Sequence, residues 1–491
     1  MRRAWPGFGM VVGLLVAVGG PDAAAQAALP SMAPSALTLD EVLTPLAESY
    51  PPLDAARRDL ALAEAEAVAA AGGFDPAWRS RAAGVPVGGY PQFRLDTMVE
   101  QPLPWMGLTV FGGYRLGTGS FAVYDGKLET NAGGELRAGV AMPLLRNGPI
   151  DRRRANWLRA EGGLLAAQAA LRQQQLEAFR LAAHRYWDWV GAGRKLAVGR
   201  AVLAIATQRD AALAASVQSG QAPPIERVEN ERAILQREAQ VLAAERALTQ
   251  AAIELSLLHR DLRGGPVVPP PGRLPPDFPA APDVEGLALD RALSQAQRLR
   301  PEPARLAAQR AQAQVELEWA ENQLSPGLDF SVTGAQDLGS GSAIRAVPEL
   351  EAAIGLDVPL LTRGPVGRIG VARAAVARLA SLERFARDRV AADVRDAHNA
   401  VAMASRRWLV ADRELALSRR LEAAERDRFT LGEGTLFLVN LREQATADAA
   451  SRLVDAQVDL HKSWATYQAA VGLPAPAAPG ADGSPRIDSS Q

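Results

Sequence analysis

The feature that most constrains the fold is a long segment without proline, residues 150–219, in which apolar or small side chains return every seven residues. A helix of about 65 residues rises roughly 100 Å, and no compact globular core has that length. Beyond a turn near Gly220, a second segment repeats the seven-residue spacing. Sustained heptads predict that the two segments pack as a coiled-coil hairpin. The heptad positions are Leu176, Ala183, Val190 and Ala197 in the first segment, and Ile234, Val241, Leu248, Leu255 and Leu262 in the second.

The sequence also predicts an internal duplication. Residues 142–150 recur as residues 358–366, an offset of 216, and both copies contain Pro-Leu-Leu followed by Gly-Pro. Gly220 and Gly432 lie 212 residues apart, and the pair Glu231 and Glu443 has the same offset. An offset that decreases in steps is what duplication followed by small deletions would leave.

These patterns predict five parts of the chain. Arg2 and Arg3 precede a short apolar stretch and the small residues Ala23, Ala24 and Ala25, which is typical of a secretory signal peptide. We expect a signal peptide at 1–25, a first repeat at 36–263, a proline-rich linker at 264–283, a second repeat at 284–473 and a disordered tail at 474–491. Within the first repeat we expect strands at 76–145, a long helix at 150–219 and a return helix at 225–262. Within the second we expect helices at 284–324, strands at 327–360, a long helix at 366–430 and a return helix at 436–472.

The strand segments alternate between apolar and polar residues, most regularly over 108–116, 135–142, 328–333 and 350–358. Such segments are typical of outer-membrane β-strands, although a water-soluble sandwich with one buried face has the same pattern. Export and the long helices favour the membrane. We expect four or so strands per chain, and the alternation in 76–102 leaves the count in the first repeat open. Four strands cannot close a barrel with a lumen, so several chains would have to pool their strands.

Composition excludes several functions. The 54 basic and 55 acidic residues give a net charge of −1, which disfavours nucleic acid as a partner. The chain has no cysteine, and its four histidines lack a second histidine at i+3 or i+4. We therefore assign no catalytic, cofactor-binding or metal-binding residue and predict that the protein is not an enzyme.

The doubled order, the junctions at Pro143 and Pro359 and the segment 429–439 resemble the TolC-type outer membrane efflux proteins. The resemblance implies a mainly α-helical protein with membrane β-structure. Three chains would together form a twelve-stranded outer-membrane β-barrel and a twelve-helix periplasmic tunnel. It also implies a location in the outer membrane of a Gram-negative bacterium, with contact to outer-membrane lipid. A periplasmic adaptor, or membrane fusion protein, would dock on the helical tips and join the duct to an inner-membrane pump. The docking residues expected at these tips are Gly220, Pro223, Pro224, Phe429, Gly432, Gly434 and Thr435.

The sequence departs from that family beyond the second tip, where the acidic residues that narrow the periplasmic end of TolC are replaced by the apolar segment 436–441. Glu226, Glu229 and Asn440 are alternative candidates for a periplasmic constriction. A solvated helix face is the simpler explanation of the same residues.

We expect a passive exit duct of a tripartite efflux or secretion system. The alternatives are a periplasmic coiled-coil adaptor, which would need one hairpin and more strands, and an exported coiled-coil enzyme. The exported molecule, whether drug, metal ion or polypeptide, cannot be read from the sequence.

Overall fold

The computed structural model describes residues 35–261, 263–284 and 286–473. The predicted signal peptide and C-terminal tail lie outside the described residues. The helices are α1 (Leu39–Ser49), α2 (Pro51–Ala71), α3 (Arg152–Gln218), α4 (Pro224–Ser256), α5 (Leu289–Leu299), α6 (Pro301–Asn322), α7 (Arg363–Thr430) and α8 (Leu436–Val471). The strands are β1 (Ala77–Val85), β2 (Gln92–Pro102), β3 (Thr109–Gly119), β4 (Glu135–Pro143), β5 (Gly327–Asp337) and β6 (Glu349–Asp357).

The six strands form one antiparallel sheet in the order in which they occur along the chain. The expectation of about four strands per chain is therefore wrong for the described residues. The two further strands are β1 and β2, joined by a turn at residues 86–91 that contains two prolines and two glycines. Their alternation involves arginine, serine and alanine as much as large apolar residues, so it gives a weak signal in the sequence.

The two faces of the sheet differ in polarity across all six strands. One row of directly paired residues crosses the whole sheet on the apolar face, and a row on the other face alternates in charge over the first four strands. The apolar row is Trp78, Val99, Gly112, Ala138, Gly334 and Leu350. The polar row is Arg81, Asp96, Arg115, Glu135 and Asp337. The apolar side chains Leu350, Ile354 and Leu356 of β6 are about 70% exposed (76%, 73% and 69%), so none of the described residues covers this face at β6.

The helices are packed side by side as extensions of the sheet. α3 packs along α2, α4, α6 and α8, whereas α7 packs along α5, α6 and α8. α3 has 67 residues and α7 has 68, and each follows a strand segment and precedes a shorter return helix. The two halves of the chain therefore share this order of elements, and the duplication itself stays a prediction. Each long helix rises about 100 Å.

The largest apolar core lies halfway along α3, where Trp189 and Val190 are fully buried against Leu255 of α4. The Tyr186 hydroxyl donates a hydrogen bond to the Leu37 carbonyl at 2.8 Å, which fixes the start of the described chain to α3. The proline-rich linker contributes Leu274 and Phe278 to this core. It is therefore a packed segment as well as a connection between the two halves.

The return helix α4 ends at Ser256, six residues before the predicted end at 262. The amides of Leu258 and His259 both bond the Leu255 carbonyl, which tightens the last turn. The chain then doubles back through a bridge between Arg260 and Pro266. In the part of the chain that the structure describes, no helix is both long and apolar enough to cross a bilayer.

Candidate functional site

The first helical tip joins α3 to α4 through a glycine in the left-handed region. Gly220 has φ +75°, and its amide donates to the Val217 carbonyl at 3.1 Å. This hydrogen bond satisfies a carbonyl group at the end of α3 that has no partner within the helix. Pro224 opens α4, at the position where a missing amide hydrogen costs nothing.

The second tip, between α7 and α8, is built in the same way. Gly432 has φ +78° and donates to the Phe429 carbonyl at 3.0 Å. Thr435 caps α8 by accepting a hydrogen bond from the Leu438 amide. Of the seven residues predicted at the tips, Phe429 and Gly434 are partly buried and the others are exposed.

A buried charge cluster, which we call the Glu443 cluster, lies about 10 Å from the tip end of α8, because Glu443 is seven residues beyond the first residue of that helix, Leu436. It consists of Glu443, Arg209, Arg237, Arg426 and Asn440. Only 1% of the Glu443 side chain is exposed. Three guanidinium groups donate to its carboxylate: Arg209, Arg237 at 3.0 Å and Arg426 at 3.2 Å.

The four charged residues of the cluster come from four different helices: α3, α4, α7 and α8. Arg209 also donates to the Asn440 side-chain oxygen at 2.7 Å, and Arg237 donates to the Val202 carbonyl at 3.1 Å. α4 and α8 make little direct contact. The hydrogen bond from Arg237 to Glu443 therefore links the first hairpin, α3–α4, to the second, α7–α8, across the space between α4 and α8.

The charges in the cluster do not cancel. Burial lowers the pKa of Arg209 from its usual value, an effect that Glu443 opposes and that the positive charges of Arg237 and Arg426 reinforce. Three arginines share Glu443, and a further carboxylate, Glu422, pairs with Arg426 at 2.7 Å. Removal of the central carboxylate would leave buried positive charges facing one another, which is costly in a region of low dielectric constant.

The three predicted constriction residues lie in different surroundings. Asn440 belongs to the Glu443 cluster, and Glu229 forms an ion pair with Arg232 at 2.9 Å. Both line a groove of about 510 Å³ between α4 and α8 that also contains the exposed side chains Phe437 and Leu441. Glu226, in the first turn of α4, does not line this groove.

The sequence did not single out Glu443 as a site residue. Its one signal was the offset of 212 from Glu231, yet Glu231 is exposed and pairs only with Arg227 on its own helix. The three arginines are far apart in the sequence, and only the packing of four helices brings them together.

The histidines serve packing in the described structure. His461 is stacked against Trp187, and burial lowers its pKa to about 4. His184 bonds the Thr466 hydroxyl at 2.9 Å, and burial also lowers its pKa to about 4. Among residues 35–261, 263–284 and 286–473, no group of three or more potential ligands could hold a metal ion.

No protein family model matches the sequence, and no curated protein matches it. The structure, however, is similar to solved outer-membrane proteins. It matches VceC from Vibrio cholerae with a TM-score of 0.62 at 14% identity, covering 88% of this chain and 96% of that one. It matches the open state of the MtrE outer membrane channel from Neisseria gonorrhoeae with a TM-score of 0.61 at 15% identity, covering 89% of each chain. For the CmeC outer membrane channel from Campylobacter jejuni, the TM-score is 0.61 at 13% identity, with 88% and 85% covered.

The chain therefore has the fold of these outer-membrane channels. At the level of the fold, this confirms the resemblance to TolC-type proteins that was predicted from the sequence.

Proposed function

We propose that this protein is an outer-membrane exit duct that passively conducts solutes from a periplasmic adaptor and an inner-membrane pump to the cell exterior. The observation that carries the proposal is the sheet, which has one continuous apolar face and one polar face and is joined directly to two helices of about 100 Å. An uncovered apolar sheet face is stable in lipid, and a polar face suits a water-filled pathway. The likeness of the fold to outer-membrane channels supports the same conclusion.

One copy cannot form the duct alone, because the open edges of its sheet would leave backbone groups unsatisfied in hydrocarbon. We propose that three copies associate to form the duct, as the resemblance to TolC-type proteins implies. The predicted alternative, a periplasmic adaptor, is not favoured, since the chain has two long hairpins and an exposed amphipathic sheet.

The two tips are the proposed docking surface for the adaptor. They expose large apolar side chains, notably Ile225 (67%), Leu431 (75%) and Phe437 (57%). The groove between α4 and α8 continues this surface upward. Contact with a partner would cover these side chains and remove them from water.

The Glu443 cluster is the proposed latch of the periplasmic end. Opening requires the α3–α4 hairpin to move away from the α7–α8 hairpin, and Glu443 is bonded to both. An adaptor that engages the tips could supply the free energy that separates them.

The test combines three measurements on the full chain, the first made on cells and the other two on the purified protein. Membrane fractionation should find it in the outer membrane, its native mass in detergent should be that of a trimer, and reconstitution in a planar bilayer should give ion conductance. A monomer found in the soluble periplasm would contradict the proposal. Disruption of the gene, followed by toxicity and secretion assays, would identify the exported class of molecule.

A further inference from the structure

We infer that β1 of one copy pairs with β6 of the next, so that three copies close a barrel of eighteen strands instead of the twelve that the resemblance implies. The inference rests on the proposed function for the trimer itself. It goes beyond that proposal in naming the two strands that meet, their register and the size of the barrel.

The first step concerns the open edges. β1 pairs only with β2, and β6 pairs only with β5. Both edge strands have nine residues, and neither contains proline. Proteins that leave a sheet edge unpaired usually shorten it or interrupt it with proline or a bulge. These two edges remain fully able to pair.

The second step concerns direction and height. With six antiparallel strands per copy, β6 runs opposite to β1, so the next copy continues the sheet in the antiparallel manner. β1 begins just after α2, and β6 ends just before α7. Both strands therefore leave the sheet at its helical end and span the same height.

The third step concerns charge. On the polar face β1 carries Arg79 and Arg81, whereas β6 carries Glu349 and Glu351. Arg79 is bonded to Glu100 within the chain at 3.2 Å. Within the described structure Arg81, Glu349 and Glu351 form no ion pair. Opposite charges on the two edges favour pairing between copies and disfavour pairing of an edge with itself.

The charges allow Arg81 to lie opposite either Glu349 or Glu351, and the apolar face decides between these two registers. If Arg81 lies opposite Glu351, an ion pair joins the polar faces of the two copies. In the same register, the apolar face sets Trp78 opposite Ile354 and Ser80 opposite Ala352. A pair of an aromatic and a β-branched residue is favourable across antiparallel strands. With Arg81 opposite Glu349 instead, Trp78 would lie opposite Ala352, and the contact with a β-branched side chain would be lost.

The consequence is a wide outer-membrane opening. Barrel diameter grows roughly in proportion to the number of strands, so eighteen strands give a diameter about 1.5 times that of twelve. Barrels of 16–18 strands generally leave a water-filled channel. The outer-membrane part of the duct would then be at least as wide as its periplasmic end.

Disulfide cross-linking tests the inference, because the parent chain has no cysteine. The double variant Ser80→Cys/Ala352→Cys places one thiol on each edge at the predicted contact. The matched control Ser80→Cys/Ala353→Cys moves the second thiol to the opposite face. After oxidation in outer-membrane vesicles and denaturation, we expect covalent dimers and trimers from the first variant and mainly monomers from the control.

If the register is shifted, the disulfide does not form even though β1 and β6 pair. Electron microscopy of the parent trimer in lipid nanodiscs then counts the strands of the barrel directly. Eighteen strands support the inference. A trimer with twelve strands, or a disulfide formed within one chain, overturns it and leaves the proposed function intact. A parent protein that is not a trimer overturns the proposed function first, so the two failures are distinguishable.

Discussion

Glu443 is a single buried carboxylate that receives hydrogen bonds from three arginines on three other helices. The variant Glu443→Gln keeps the shape of the side chain but removes its charge. Because breaking one partner of a buried ion pair costs about 3–5 kcal/mol, the closed tips should be strongly destabilised. A loss of about 1.4 kcal/mol already changes the ratio of open to closed duct tenfold. We expect a higher open probability in planar bilayers and greater entry of a large hydrophilic antibiotic into cells.

Glu231→Gln is the matched control, since Glu231 occupies the corresponding position of the first hairpin and is about half exposed (52%). Its effect on conductance should be small, because exposed ion pairs contribute little. Equal conductance of the parent and the Glu443→Gln variant, with both fully trimeric, would contradict the role of the latch.

His461 makes the stability of the helical region depend on pH. Burial lowers its pKa in the folded state to about 4, below the ordinary value of 6.5. The unfolded chain therefore binds more protons between these values, and stability is fully present above pH 6.5 and is lost as the pH falls toward 4. Each pH unit in that window lowers the free energy of unfolding by at most about 1.4 kcal/mol through the titration of this residue.

The variant His461→Phe retains the ring stack with Trp187 and removes the titration. Its melting temperature, measured by circular dichroism between pH 7 and pH 5, should fall less than that of the parent. His184 titrates in the same window for the same reason, so part of the decrease should remain in the variant. Identical slopes for the two proteins would show that His461 is already charged or exposed.

At the scale of elements, β6 provides a direct test of which face of the sheet meets lipid. Ile354 lies in the middle of the strand on the apolar face, and its neighbour Ala353 lies on the polar face opposite Ser331. An arginine near the midplane on the lipid side of a barrel costs about 2–4 kcal/mol. We expect Ile354→Arg to reduce the amount of assembled trimer in the outer membrane, whereas Ala353→Arg should assemble normally. The reverse result would mean that the apolar face is covered by protein.

The sequence was most informative where a structural element depends on its own residues. The heptads around Val190 and Leu248 predict α3 and α4, because a long packed helix needs an apolar residue on the same face every seven residues. β1 was harder to predict, since Arg79, Ser80 and Arg81 define no apolar face until they are paired with β2. The Glu443 cluster could not be predicted, because its chemistry depends on four helices whose relative positions are not encoded by any local pattern.

At the scale of the whole molecule, two helices present apolar stripes that nothing in the described chain covers. On α4 the stripe is formed by Val228, Leu235 and Leu242, which are 57%, 66% and 66% exposed and lie seven residues apart. On α7 it is formed by Met403, Val410 and Leu417, which are 41%, 65% and 58% exposed with the same spacing. Within one copy the lower half of α4 packs mainly on α3, and that of α7 mainly on α8. These two helices are therefore the free sides of the four-helix layer.

We expect the stripe on α4 of one copy to pack against the stripe on α7 of the next, as matching heptads do in a coiled coil. Full burial of a leucine side chain contributes about 1.5–3 kcal/mol, and three equivalent contacts occur in a closed trimer. The variant Leu242→Glu should therefore reduce the trimer population measured by native mass spectrometry as the protein is diluted. Its control is Ala243→Glu, which adds the same charge one residue further along, at an exposed position outside the stripe. Because the strands that join copies in the sheet are unchanged in both variants, loss of the trimer in Leu242→Glu alone would show that closure of the helical layer is needed for assembly. Unchanged trimers in both variants would show that the strands alone hold the three copies together.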